Sequence, residues 1–485
     1  MSGYVLRGGR PGVMMERPNA GALGRTKRGS AVTDVLDSKQ SGDRKPWFLK
    51  GNYAPVSSEV TDFDLKVTGA IPKSLSGMYL RNGSNPKNGY TDHWFFGDGM
   101  IHGVRLEGGE AKWYRNRYVR TTKYEKNLEA MDPDCMFDPT ASAANTHVLG
   151  HAGRIWALEE GHFPWELSRD LETMGCDDFG GKLTTAFTAH PKLCPETNEL
   201  HFFGYSPIAP YVTYHVLDAK GQLVHTAPIT TPKGTMMHDF MITRDHAIFM
   251  DLPVVFDLDK VAQGLPPIGW DDTYGARIGI MPRMGTDADI RWFEVDPCYV
   301  FHPLNSYVEG DEVICDVGRH ATMWKKSMDD FDPSYMWRWN FNLKTGAVRE
   351  QQCDDWAHGF PRVDDRVVGL KHRYGWAAGS REGKVGAMDA AGVVAKYDMK
   401  DGSKTVHDFG PYAHPGEFVF VQDSAKAAED EGYAMGFVYY SDTETSELVI
   451  LDASDMAKAP VARVHLPQRV PFGFHGSWVD DSILN

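Results

Sequence analysis

Histidine is the residue type whose placement most suggests chemistry in this 485-residue sequence. Most of its 19 histidines need no function, since a lone imidazole in a strand-rich chain is ordinarily a satisfied or exposed residue. Four stand in a different setting: His190 in TTAFTAHPKL, His238 in GTMMHDFMIT, His302 in CYVFHPLNSYVEG and His475 in VPFGFHGSWV. Each lies among apolar or small residues beside an expected strand end, where an unpaired imidazole is costly to bury. Neutral imidazole is the commonest transition-metal ligand, so a four-histidine metal site is one explanation. Buried structural histidines are the other, and the residues by themselves leave the two open. The four are too far apart in the chain for a local metal loop, so any shared site must be assembled from separate elements.

The elements that would position them are short strands. From about Phe48 onward, runs rich in Val, Ile, Phe, Tyr and Trp alternate with Gly, Asp, Asn and Pro clusters, as in RIWALEEG, ELHFFGYSP, MWRWNFNLKTGAV and SELVILDA. That alternation is the pattern of many antiparallel strands. Runs joined by DAKG, NLKTG and DMKDG read as hairpins, because glycine supplies the positive φ of a tight turn. So many strands must close or repeat to hide their edges, and a β-propeller does so by radial repetition of blades. Segments Tyr114 to Ala144 and Leu258 to Asp289 read as loops and short helices forming a cap over one end. Residues 46–485 are expected to form one domain, preceded by a flexible arm over residues 1–45.

The motifs around the histidines resemble those of the carotenoid cleavage oxygenases, a family that includes apocarotenoid oxygenases, lignostilbene dioxygenases and the retinal pigment epithelium isomerase. The resemblance runs over nearly the whole chain after the arm: GMYLRNGSNP, HWFFGDGMIHGV, NTHVLGHAGRIWALEEG, FTAHPK, MMHDFMIT, FHPLNSY, FPRVD, HRYGW, SELVILDA and FGFHGSW, in order. It implies an all-β, seven-bladed propeller with a cap of loops and short helices over an axial Fe(2+), reached by an apolar tunnel. It implies that His190, His238, His302 and His475 are the iron ligands. Four neutral imidazoles with no carboxylate leave room for dioxygen beside an uncharged substrate.

Metal-bound imidazoles are usually held by acceptors that fix the remaining ring N–H. The resemblance assigns that role to Glu160 in ALEEG for His238 and to Glu417 in PGEFVFV for His475, with Glu159 a competitor for the first. A third glutamate, which the family commonly carries before FPR, is replaced here by Gly359. Orientation of His302 is then left to water, a backbone carbonyl or a side chain such as Asp354 or Asp355. Thr146 matches a family threonine whose methyl group crowds an open position of the iron; the plain alternative is a β-branched residue in an ordinary strand.

The reaction implied is insertion of both atoms of dioxygen across a conjugated C=C bond, giving two carbonyl products. No nicotinamide or flavin fingerprint is needed, and no GxGxxG opens a helix after a strand. A carotenoid or apocarotenoid is the favoured substrate. Stilbenoid-cleaving members commonly carry a lysine where this chain has Glu159, so a stilbenoid or phenylpropenoid is the alternative. An isomerase and a propeller that only binds are more distant rivals.

Composition narrows the rest. The formal net charge is −15, which disfavours a nucleic-acid partner because phosphate demands a cationic surface. Six scattered cysteines with no CxxC pair suggest reduced thiols in a cytoplasmic protein. No apolar run is long enough to span a membrane. The amino-terminal residues lack the apolar core of a secretory signal, and an organellar transit peptide is the weaker reading of their arginines. Because a polyene partitions into lipid, weak peripheral contact with a membrane is expected, with GLPPIGW at Gly264 to Trp270 as a candidate edge.

Overall fold

A computed structural model describes residues 45–261, 267–383 and 391–484. The arm expected over residues 1–45 therefore lies, apart from Lys45, outside the described residues. Among the described residues the strands form seven antiparallel sheets of four to six strands, the blades of a propeller, and one separate two-stranded ribbon. The three expected hairpins form, pairing Leu217 with Leu223, Phe341 with Val348 and Asp398 with Ser403. Their glycines Gly221, Gly346 and Gly402 take φ of 71°, 83° and 75°, where a side chain would strain the backbone.

Each blade begins at the propeller axis. The innermost strands are His147–His151, Lys192–Leu193, Met241–Ile242, Tyr299–Glu309, His358–Arg362, the broken pair Ala413–Pro415 and Val419–Gln422, and Gly476–Asp480. Five blades use consecutive stretches of chain. The first borrows its innermost strand from the far end: Gly476–Asp480 pairs with Gly77–Ser84, from Gly77 opposite Asp480 to Arg81 opposite Gly476. The last blade in turn takes Val67–Gly69 as its outer strand, against Ala462–His465. Both ends of the propeller are thus sewn into blades built mainly from the other end, and the ring closes.

The core lies between blades. Trp156, Trp339 and Trp376 are among its largest fully buried side chains, and Trp376 stacks on Phe420 of the next blade with centroids 4.9 Å apart. On one face sit the short helices Thr122–Lys126, Pro133–Met136 and Leu258–Val261 and the ribbon of Val254–Phe256 with Ile268–Trp270. The two segments expected to cap the propeller are therefore partly blade: Glu110–Tyr118 and Arg277–Pro282 are full strands. In the second, Gly279 breaks the apolar run because a Cβ there would come within 2.8 Å of the Trp292 ring. Of GLPPIGW, Gly264 to Pro266 lie outside the described residues, while Ile268 and Trp270 are partly buried against the core rather than forming an open apolar edge. No helix among the described residues is long and apolar enough to cross a membrane.

Replacing Trp376 by Ala removes the ring that joins two blades and is expected to cost about 3–5 kcal/mol. A fall in the urea unfolding midpoint checks this; a midpoint unchanged from the parent would show that the interblade stack is not limiting.

Candidate metal centre

The innermost strands bring their first residues together at the axis, beneath the cap. His190 immediately precedes one of them by two residues, His238 another by three, His302 lies within a third and His475 directly precedes the last. Their four candidate ligand nitrogens all lie within 4.8 Å of one another. Nε2 of His190 is 3.0 Å from Nε2 of His238, which is 3.1 Å from Nε2 of His302. The His475 ring completes the group, with its centroid 4.4 Å from that of His190 and 4.7 Å from that of His302. Burial pushes His190 and His302 well below the ordinary imidazole range, and the neighbouring imidazoles push the same way. These two rings are therefore held in the neutral form that presents a lone pair to a metal. A group of four such nitrogens fits a divalent ion of borderline softness.

A fifth histidine, His147, sharpens this assignment by contrast. Its ring is 5.5 Å from that of His475, and burial pushes it down to about 3. Both its nitrogens are already engaged, Nδ1 with the Ala189 carbonyl at 2.7 Å and Nε2 with the Ser477 hydroxyl at 3.1 Å. It has no lone pair to offer.

The nitrogens that face away from the axis have acidic neighbours. Nδ1 of His475 is 3.0 Å from Oε1 of Glu417. Oε2 of Glu417 accepts from the Gly476 N–H at 2.8 Å and from Arg362 Nη1 at 3.2 Å. Burial alone would raise Glu417, but the Arg362 guanidinium and the His475 imidazole outweigh it and hold the carboxyl at about 2. Nδ1 of His238 lies against Oε1 of Glu160, whose Oε2 accepts from the Tyr205 hydroxyl at 2.5 Å. Glu159, the competitor for that place, points elsewhere: its carboxylate takes the His162 Nδ1 at 2.7 Å and the Gly161 N–H at 3.0 Å.

Asp239 was not singled out by the sequence. Its Oδ2 is 3.6 Å from Nδ1 of His190, and its Oδ1 is 2.7 Å from the Lys192 ammonium. The available signal was its position directly after His238. Adjacent residues of an extended chain face opposite ways, so Asp239 serves the neighbouring blade's histidine rather than its own.

His302 differs from the other three. Among the described residues no carboxylate meets its ring. Asp354 does not reach it, because Tyr397 and Lys404 occupy its carboxylate; Asp355 is exposed and donates its own N–H to Asp354. Beside Gly359, Phe360 adopts φ 53° and places its ring 5.6 Å from that of His302. Thr146 is fixed on three sides: its N–H donates to the Leu158 carbonyl, its carbonyl accepts from the His475 N–H at 3.0 Å, and its hydroxyl donates to Asn145 Oδ1 at 2.9 Å. It joins the second blade to the strand that closes the ring.

Towards the cap the site is aromatic. Phe301 stands edge-on to His238 at 4.9 Å, Trp324 lies 6.0 Å beyond Phe301, and Phe95 lies 6.1 Å from Trp324 and 5.8 Å from Phe474. Phe240, by contrast, belongs to the interblade core with Phe203 and Phe249.

A seven-bladed propeller carrying four axial histidines with carboxylates behind them defines a class before any comparison is made, and the comparisons agree. The family described as retinal pigment epithelial membrane protein matches residues 53–480, so the chain belongs to that family, the carotenoid cleavage oxygenases, and is an oxygenase. A carotenoid cleavage oxygenase of Mycobacterium tuberculosis is 39% identical over 500 aligned positions that cover 91% of this chain and 99% of the relative. A carotenoid 9,10(9',10')-cleavage dioxygenase of Crocus sativus is 35% identical, covering 90% of each chain. The crystal structure of a lignostilbene dioxygenase from Pseudomonas brassicacearum matches with a TM-score of 0.83 at 27% identity, over 90% of this chain and 100% of that one.

Because Glu417 is depressed in the folded protein, its charge contributes stability that is fully present above its ordinary value of 4.5 and is lost as pH falls towards about 2. In Arg362→Met the guanidinium is gone and that loss is expected to begin at higher pH. Acid unfolding followed by circular dichroism checks it; coincident curves would remove Arg362 as the cause.

Proposed function

We propose that His190, His238, His302 and His475 are the ligands of one Fe(II), and that the enzyme cleaves a conjugated C=C bond of a carotenoid or apocarotenoid into two carbonyl products. The observation that carries this reading is the convergence of four imidazoles on the axis, three of them backed by a carboxylate. Bound Fe(II) would supply the centre at which dioxygen is activated beside the alkene. The chain's own part is positioning. Glu160 orients His238, Glu417 orients His475 and Asp239 lies behind His190, so that three rings keep one tautomer and one direction. Thr146, tied to the His475 backbone, borders the open side of the centre and narrows the approach to it. The aromatic wall of Phe95, Phe301, Trp324 and Phe474 excludes water and holds a flat polyene against the axis.

The fold match to a lignostilbene dioxygenase keeps a stilbenoid as the second reading. The engagement of Glu159 by His162 favours the polyene, since that carboxylate is not free to receive a phenol.

Iron-loaded protein incubated aerobically with an apocarotenal and, separately, with resveratrol is expected to give oxygen-dependent aldehydes from the apocarotenal, each labelled once from ¹⁸O₂. His238→Ala is expected to lose both the iron and the turnover. Iron content near that of the parent would overturn the ligand assignment, and products from resveratrol alone would select the stilbenoid. A lipophilic substrate also implies contact of the cap with a bilayer, where Met136 and Phe137 are exposed on a cap helix and just after it. Flotation with phosphatidylcholine liposomes is the check, and protein left wholly in the dense fraction would exclude such contact.

A further inference from the structure

Below the histidines, on the side away from the aromatic wall, the axis of the propeller is hollow. A cavity of ≈ 160 Å³ runs from the rings of His190, His302 and His475 along the inner strands to the opposite face. Its lining is mixed, and among side chains such as Leu193, Met241 and Leu304 it carries charged and polar groups that the aromatic cap side lacks: Lys192, Asp239, Asn305, Arg362, Asp365 and Ser477. The arrangement follows from the strand direction. Each innermost strand starts at the metal centre and runs away from it, so the residues after each histidine line the cavity, whereas Phe301 and Phe474, which come just before theirs, face the cap. The far end reaches solvent, for the Asp365 side chain is 62% exposed.

We infer that this axial cavity is the route by which aqueous divalent metal ions reach the four histidines, separate from the route of the apolar substrate. The inference rests on the ligand assignment proposed above. A hydrated dication is stripped of solvent at great cost in an aromatic passage, which offers it neither oxygen ligands nor charge. The axial cavity offers both. Its carboxylates, Asp239, Asp365 and Glu417, outnumber its cations, Lys192 and Arg362, by one. They are also graded along the path: Asp365 stands at the exposed mouth, 3.4 Å from Arg362, and Asp239 stands buried beside Lys192 and His190. An ion passes from an exposed carboxylate to a buried one and then to the imidazoles. Carboxylate oxygens can replace water around a divalent cation, and an acidic mouth raises its local concentration.

The test is kinetic and uses the full chain, stripped of metal by a chelator, with Co(II) as a coloured probe. In Asp365→Cys, a thiol at the mouth is capped with a bulky trimethylammonium methanethiosulfonate and later freed by reductant. The parent protein, whose Cys353 is exposed, is treated identically as the control. Capping is expected to slow the appearance of the Co(II) absorption bands at least tenfold, leave the final stoichiometry unchanged, and be reversed by reductant. Asp365→Asn is expected to slow uptake by about two- to threefold at low salt, with the difference disappearing at high ionic strength as screening removes the field. Uptake at the parent rate in both variants would overturn the route. Absence of Co(II) binding in the parent itself would instead overturn the ligand assignment, so the two failures are distinguishable.

Discussion

An imidazole has two ring nitrogens, and the architecture of the axial centre depends on giving each of them a place. One nitrogen of each of the four rings faces the axis, and the other faces the wall of the propeller, where in three cases a carboxylate lies behind it. A buried carboxylate needs compensation of its own, and the neighbouring blades supply it: Arg362 beside Glu417, Lys192 beside Asp239 and the Tyr205 hydroxyl on Glu160. The result is a collar of acids and their partners around the four rings, each bond of which joins one blade to another. His302, which has Phe360 where the others have an acid, is the member of the set held by packing.

The same arithmetic of direction separates the two ends of the axis. Because every innermost strand runs the same way, the residues before the histidines and the residues after them sort onto opposite sides of the centre. The first set is Phe301 and Phe474, with Phe95 and Trp324 joining them from loops; the second includes Lys192, Asp239, Asn305 and Ser477. One structural rule therefore makes an aromatic approach and one that carries charged groups to a single point.

Much of this was legible in the sequence. The hairpins could be read because DAKG, NLKTG and DMKDG carry the one residue that tolerates their backbone. The four histidines, Glu160 and Glu417 could be picked out because each sits in a motif with a characteristic neighbourhood. What escaped was pairing across blades. Asp239 stands next to His238 in the sequence and behind His190 in space, and nothing local records the difference. Asp354 lay close to the vacancy left by Gly359 but is claimed by Lys404 and Tyr397 from its own blade's strands. The strand Arg277–Pro282 is also not apparent in the sequence, where Gly279 interrupts the apolar run; in the fold a Cβ there would meet the side chains of Ile290 and Trp292.

The exchange of end strands between the first and last blades has a consequence for synthesis. His475 and the strand Gly476–Asp480 leave the ribosome after every other described strand of the propeller, whereas Gly77–Ser84, their partner, is among the first to do so. Until then the first blade lacks its axial strand, Glu417 has no imidazole to hold, and Thr146 has no amide to receive. Before that strand emerges, a nascent chain can present at most three of the four histidines, so a metal ion meets the complete set only on a closed ring. The ring's seam thus also marks completeness: a chain that stops before His475 has no closed first blade and no fourth imidazole.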